Sequence, residues 1–292
     1  MGEIDFTGRN FNTIGPSAKW ILLLKGHTNI PYARQTAELI SYPDKFIPDY
    51  NRTDLTFWAR TLHFESRYLS IDHLLEDLPA LNILEIASGY SFRGLDTINK
   101  KDVYYIDTDL PDIIAEKEAL MMALKNQENQ TKGKIELLPL NALDEKQFQK
   151  TTDRFPDGPI VIINEGLLMY LDLREKEQLC RIIHKILERR GGYRITADIY
   201  VRKQQENRAI KLSKKAKEFF EQHHLEENKF PTFREAEEFF RMMGFSIDKE
   251  AMIEPSKLSS LQYFLKNTTP DELIKIRAAG KIQTSWRLRI SS

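Results

Sequence analysis

Two rhythms of apolar residues divide the chain. From about residue 16 to 80, apolar positions recur every three or four residues in AKWILLLKG, IPYARQTAELI and LTFWARTLHFESRYLSIDHLLEDL, the spacing of helices with one buried face. SYPDKFIPDYNR, with Pro43, Pro48 and Asp49, interrupts this run and predicts a connecting loop. From residue 81 the pattern changes to short apolar segments. LNILEIA (81–87), DVYYIDTD (102–109), KIELLPLNA (134–142), GPIVIINEG (158–166) and YRITADIY (193–200) predict five strands. LPDIIAEKEALMMALKNQ and LREKEQLCRIIHKILERR, the second closed by Gly191 and Gly192, predict helices between them. Compact apolar strands alternating with helices require a parallel sheet covered on both faces.

Beyond the fifth strand, the stretch at about 201–230 is charged and helical and predicts an insertion. Its seven lysines and arginines between 202 and 217 suit a solvated helix face. FPTFREAEEFFRMMGF predicts a further amphipathic helix and FSIDKEAMIE a strand. In TSWRLRISS, Trp286, Leu288 and Ile290 alternate with Arg287 and Arg289, which predicts a half-exposed antiparallel strand at the sheet edge. The expected fold is α/β: a Rossmann-like, mostly parallel, seven-stranded sheet with an antiparallel edge strand. The expected organisation is a helical extension over 1–80, packed as a lid on a ligand-binding domain over 81–292.

At 292 residues the chain is long enough to bury such a core. The 43 lysines and arginines balance 43 aspartates and glutamates, so no global field draws the protein to nucleic acid or an anionic membrane. The longest apolar run near the N-terminus is WILLL, far short of the ~20 residues that span a bilayer, and no signal-peptide pattern is visible. The lone cysteine, Cys180, excludes an internal disulfide and is expected to be inert core. The His223-His224 doublet has no third ligand nearby, so no metal is expected, and the cysteine usage points to a reducing, cytoplasmic compartment.

The chemistry sits at the strand ends. LEIASGYSFRGLD (84–96) turns from strand to helix with one central glycine, where a dinucleotide fingerprint needs three. A diphosphate requires close backbone approach at a helix N-terminus, and Ala87 and Ser91 crowd it. S-adenosylmethionine carries no phosphate, and Glu85, Ala87, Gly89 and Ser91 supply the acid-and-small-residue loop it asks for. About 20 residues on, Asp107 and Asp109 end the second strand, where a carboxylate accepts from ribose hydroxyls or caps the helix that begins at Pro111. Asn141 and Ala142 end the third strand, within reach of an adenine. Glu165 ends the fourth, ahead of Leu167, Leu168, Met169 and Tyr170, and a carboxylate against a buried strand calls for a polar partner.

Taken together, these strand ends resemble the leucine carboxyl methyltransferase family, which includes the polyketide O-methyltransferases of the tetracenomycin type. IASGYSFR stands where the family has LGAGLDTR, and DTDLP where it has EVDLP. Asn141-Ala142 replaces Asp-Leu, and NEGLLMYL (164–171) is nearly identical to AEGVLMYL. The resemblance runs from roughly residue 55 to 200. It implies a class I methyltransferase sheet binding S-adenosylmethionine, with the Gly89 loop at the methionine moiety, Asp109 at the ribose, Asn141 and Ala142 near adenine, and Glu165 lining the pocket. It also implies an arginine in the helix before the first strand, holding the cofactor carboxylate as a bidentate partner. Arg60 in FWARTLHF is the first choice and Arg67 the second. Ala87, Ser91 and Asn141 depart from the family pattern.

The expected activity is methyl transfer to an oxygen, the carboxylate of a small molecule or a peptide terminus. A carboxylate is already ionised at neutral pH, so positioning supplies the catalysis. A hydroxyl acceptor would make His63 or Tyr170 the residue to test as base. The acceptor is expected between the helical extension and the insertion, with Tyr32, Arg34 and Trp58 among its contacts. The protein is expected to be a monomer or homodimer. The rival readings are a catalytically silent binding module and a nicotinamide-dependent oxidoreductase.

Overall fold

The computed structural model describes residues 15–79, 82–125, 131–202 and 214–291. Three helices come first: α1 (Gly15–Lys25), α2 (Ala33–Ser41) and α3 (Leu55–Leu75). Seven strands follow: β1 (Asn82–Ile86), β2 (Tyr104–Asp109), β3 (Lys134–Pro139), β4 (Ile160–Asn164), β5 (Gly192–Tyr200), β6 (Phe245–Glu250) and β7 (Gln283–Ile290). They form one sheet in the order β3-β2-β1-β4-β5-β7-β6, with β1 to β5 parallel and β7 antiparallel to both of its neighbours. Strand order reverses between β1 and β4, which opens a crevice above their carboxyl ends.

The two faces of the sheet follow the pleat. Ile83, Tyr105, Val161, Ile163 and Ile195 pack against Ile71 and Leu74 of α3, Leu95 and Ile98 of α4 (Arg93–Lys100) and Met121 and Leu124 of α5 (Pro111–Lys125). Leu84, Ile86, Ile106, Ile162 and Leu288 face the other way, toward Phe148 of α6 (Glu145–Thr152), Leu179, Ile183 and Ile186 of α7 (Leu173–Arg190) and Phe240 of α9 (Phe233–Met242). Every residue of β1 and β4 is buried, as covering on both faces demands. Cys180 is free and wholly buried on α7.

α3 begins at Asp54, whose carboxylate accepts the Phe57 N–H at 3.1 Å, and ends just before β1. Its Arg67 meets Tyr200 at the end of β5, while its Leu74 carbonyl accepts from Arg287, which pairs with Ile195 earlier in β5. α3 therefore runs antiparallel to β5 and to β1, which is parallel to β5. Its last turns cover the strand face and its first turns rise beyond the strand ends.

The antiparallel strand expected at the sheet edge forms, but one place in from it. β7 lies between β5 and β6, and β6 is the edge strand. The alternating arginines misled because Arg287, expected on a wet face, is buried with its guanidinium between Asp248 and Asp77, each at 2.5 Å. Of the two arginines only Arg289 is exposed. β3 also stops at Pro139, which leaves Asn141 and Ala142 in the following turn. Of the predicted charged insertion, residues 203–213 lie outside the described residues, and α8 (Lys214–Gln222) carries the rest of the helix. Two short helices, α10 (Leu261–Lys266) and α11 (Pro270–Ala278), connect β6 to β7 and have no counterpart in the sequence reading.

Candidate active site

The loop after β1 is fastened to the end of β2. Ala87 and Gly89 both adopt left-handed backbone, with φ of 51° and 54°. Glycine adopts this freely and alanine does not. The Ser88 N–H donates to the Thr108 carbonyl at 3.0 Å, and the Gly89 N–H donates to Asp109 Oδ2 at 2.6 Å. Asp109 Oδ1 accepts the Leu110 N–H at 2.7 Å. Burial raises the Asp109 carboxyl, and these backbone donors oppose the rise.

Two carboxylates expected in the site lie beneath it instead. Asp107 is wholly buried, with Lys117 Nζ of α5 at 2.7 Å and the Ser88 hydroxyl as a second donor. Glu85 is wholly buried on β1, accepting from the Tyr105 hydroxyl at 2.7 Å and facing Arg93 Nε at 3.6 Å. Burial raises the carboxyls of both. Neither reaches the cavity above the sheet; they hold the loop from below.

Glu165, after β4, gathers three cations. Lys25 Nζ of α1 lies at 2.7 Å, Arg67 Nε of α3 at 3.2 Å and Arg93 Nη2 of α4 at 3.1 Å. Burial alone would raise the Glu165 carboxyl, but the three charges overcome it and hold the group down at about 2. Arg93 stacks on Tyr68 at 3.7 Å and pairs with Asp72, so it ties α3, α4, β1 and β4 together. Next to Glu165, Gly166 has φ of 84°, and a Cβ there would stand 3.3 Å from Arg67 Nη2. Asp198 of β5 fixes this turn by accepting the N–H groups of Gly166, Leu167 and Leu168 at 2.5, 2.8 and 3.2 Å.

Above these strand ends opens a cavity of about 1430 Å³. Pockets for a single drug-sized ligand run to about 300–1,000 Å³, so this cavity has room for more than one. Its floor includes Ala87, Gly89, Asp109, Asn141, Ala142 and Glu165, and Arg60, His63, Arg67 and Tyr170 also line it. Those expected site residues come together; Glu85 and Asp107 do not join them. Tyr32, Arg34 and Trp58 do not line it either. Tyr32 accepts from Asn99 at 2.7 Å, Arg34 pairs with Tyr50, and Trp58 is fully buried with its indole N–H on the Arg52 carbonyl. From the N-terminal helices, Ser17, Trp20 and Lys25 of α1 and Phe64 of α3 are among the residues that face the cavity beside Arg60, His63 and Arg67.

The two base candidates are engaged. His63 Nε2 lies 2.7 Å from the Tyr200 hydroxyl, whose oxygen accepts from Arg67 Nη1 at 3.2 Å. With the Tyr200 oxygen accepting from Arg67, the phenol proton is free to go to His63 Nε2. Tyr170 meets the Ser17 hydroxyl at 3.0 Å, and burial raises its phenol, so it stays protonated. His223 packs on Phe219 with ring centroids 4.5 Å apart, and no cluster of three metal-ligating side chains occurs among the described residues. Lys25, Lys117, Asp198 and Tyr200 were missed in the sequence. Only Asp198 left a signal, an acid inside the apolar run YRITADIY.

No protein-family model matches the chain, and no curated protein does. Solved structures do resemble it. A duf574 family protein from Streptomyces avermitilis aligns over 94% of this chain and 97% of its own, at 13% identity and a TM-score of 0.53. The mitomycin 7-O-methyltransferase MmcR aligns over 98% of this chain at 11% identity and a TM-score of 0.47, and this chain spans 62% of its length. PigF with SAH aligns over 95% of this chain and 72% of its own, at 14% identity and a TM-score of 0.46. The fold is a Rossmann-like, mostly parallel seven-stranded sheet, and the duf574 family protein shares it. No helix among the described residues is long and apolar enough to cross a membrane.

Proposed function

We propose that the protein is an S-adenosylmethionine-dependent O-methyltransferase of the leucine carboxyl methyltransferase kind. The observation that carries this reading is the Asp109–Gly89 contact at 2.6 Å, on the cavity wall that Asn141, Ala142 and Glu165 complete. Each Asp109 oxygen accepts one backbone N–H and keeps a lone-pair site, so both ribose hydroxyls find an acceptor. Gly89 sits where the methionine moiety passes, and Asn141 and Ala142 flank the adenine. Arg67, with Lys25 beside it, takes the role of holding the cofactor carboxylate, because both stand at the strand ends with Glu165. A diphosphate fits poorly: it needs the first N–H groups of α4, and the Ser91 hydroxyl already takes that of Arg93 at 3.3 Å.

The cofactor supplies an electrophilic methyl group on a sulfonium. The acceptor oxygen forms the new O–C bond as the C–S bond breaks and its electron pair passes to sulfur. An ionised carboxylate needs no proton removed, which agrees with His63 Nε2 being held by Tyr200 and Tyr170 being kept protonated. The chain's contribution is then alignment, which supplies ~7–11 kcal/mol in well-oriented systems. α1 and α3 of the helical extension and α8 of the insertion cover the acceptor half of the cavity, and the strand ends of the domain that follows hold the cofactor. The acceptor is the carboxylate of a small molecule or a peptide terminus. The same reading takes the protein to work in the cytoplasm, as a monomer or homodimer.

Calorimetry with S-adenosylmethionine, S-adenosylhomocysteine and NAD tests this. Binding of the two sulfur compounds and not of NAD is expected, followed by transfer of labelled methyl to acids. Binding of NAD alone would overturn it; cofactor binding without transfer to any acid would favour a silent binding module.

A further inference from the structure

Arg60, His63 and Arg67 share one face of α3, at the i, i+3, i+7 spacing, and all three line the cavity. α3 runs away from the strand ends toward its own N-terminus. Arg67 stands level with Glu165, at 3.2 Å. Arg60 lies seven residues further out, about 10 Å along the axis at 1.5 Å per residue. Helical side chains lean toward the N-terminus, which carries its guanidinium further still. The frame of Gly89, Asp109 and Glu165 is therefore out of its reach.

The two arginines also differ in what they hold. Arg67 is fixed at the strand ends by Glu165 on its Nε and Tyr200 on its Nη1, which leaves it the Nη2 side for the cofactor. Arg60 is half-buried, and its Nη2 is buried with no hydrogen-bond partner among the described residues. Among the described residues its guanidinium faces the Trp20 ring at 5.3 Å, and the acid that acts on it, Asp54, is already taken by Arg52 and the α3 N-terminus. A buried donor left unpaired carries a standing cost that an incoming acceptor removes. Its surroundings are apolar: Trp20 meets Phe64 edge to face at 5.9 Å, and Phe219 and Phe220 of α8 line the same cavity.

We propose that Arg60 anchors an anionic group of the methyl acceptor, and that the acceptor is an organic acid with an apolar or aromatic body. This rests on the methyltransferase reading and assigns Arg60 to the second ligand instead of to the cofactor. An acid gains a charge-assisted, bidentate contact that its amide lacks, while the aromatic wall receives the rest of the molecule.

The test is calorimetry on the full chain saturated with S-adenosylhomocysteine, titrated with decanoic and naphthoic acids and with their primary amides. Wild-type protein is expected to prefer the acids by about tenfold or more. Arg60→Gln should abolish the preference, Arg60→Lys should restore part of it, and affinity for S-adenosylhomocysteine should be unchanged in both, which also shows that the variants fold. Equal or absent binding of acids and amides by the wild type overturns the proposal, as does a preference that survives Arg60→Gln. Loss of S-adenosylhomocysteine affinity in Arg60→Gln, with the wild type binding it, returns Arg60 to the cofactor. If the wild type itself fails to bind S-adenosylhomocysteine, the methyltransferase reading falls first and this inference with it.

Discussion

Lys25 and Glu165, 140 residues apart in the chain, meet at 2.7 Å between α1 and the end of β4. Arg67 and Arg93 complete a group in which one buried carboxylate answers three cations. Glu165→Gln leaves these charges without their common partner and should cost about 3–5 kcal/mol in urea denaturation. A loss under about 1 kcal/mol would mean that water replaces the carboxylate without difficulty.

The same group predicts an acid limb. Glu165 is held at about 2 against its ordinary value of 4.5. A carboxyl depressed in the folded state contributes stability that is full above its unfolded value and is lost as pH falls toward its folded one. The stability difference between wild type and Glu165→Gln should shrink by on the order of 3 kcal/mol between pH 4.5 and 2. A difference that stays constant across that window would show that Glu165 is not depressed.

Asp109→Ala removes the acceptor for the Gly89 and Leu110 N–H groups and the proposed ribose contact together. Affinity for S-adenosylhomocysteine should fall by about tenfold or more. Calorimetry decides it, and an unchanged affinity takes Asp109 out of the cofactor site.

Lys117→Met strands the Asp107 carboxylate in a fully buried position. The expected loss is about 3–5 kcal/mol, and the double variant Lys117→Met, Asp107→Leu should regain much of it because no lone charge remains. A double variant no more stable than the single one would place the value of this pair in Ser88, which also contacts both groups.

Ala87 holds φ of 51°, a conformation that strains any side chain with a Cβ. Ala87→Gly should therefore stabilise the protein by about 1 kcal/mol, read as a shift in the urea midpoint with unchanged slope. A destabilised variant would show that the Ala87 methyl packs in the loop to greater effect than the strain it causes.

The strands were legible because parallel strands buried on both faces leave unbroken apolar runs such as IVIIN and NILEI. Which acids belong to the site was not. Glu85, Asp107 and Asp109 all occupy the ends of predicted strands, yet only Asp109 is last in its strand; Lys117, ten residues on, covers Asp107. Arg60 and Arg67 face the same way on α3, and only the direction of that helix relative to β1 tells which stands at the strand ends. The edge position of β7 was misjudged for a third reason: the alternation of Arg287 with apolar residues does not register that Asp77 and Asp248 neutralise it inside.

The placement of β7 has a consequence for the order in which the molecule is built. β6 leaves the ribosome before β7, yet it joins the sheet only through β7. Until β7 is synthesised, β5 and β6 each present an unpaired edge, and α9, α10 and α11 have no completed sheet to close over. The nascent chain must wait with its parallel half formed and its antiparallel half open, so a chain cut short before Gln283 should aggregate through those edges even though every strand beneath the proposed cofactor site is present.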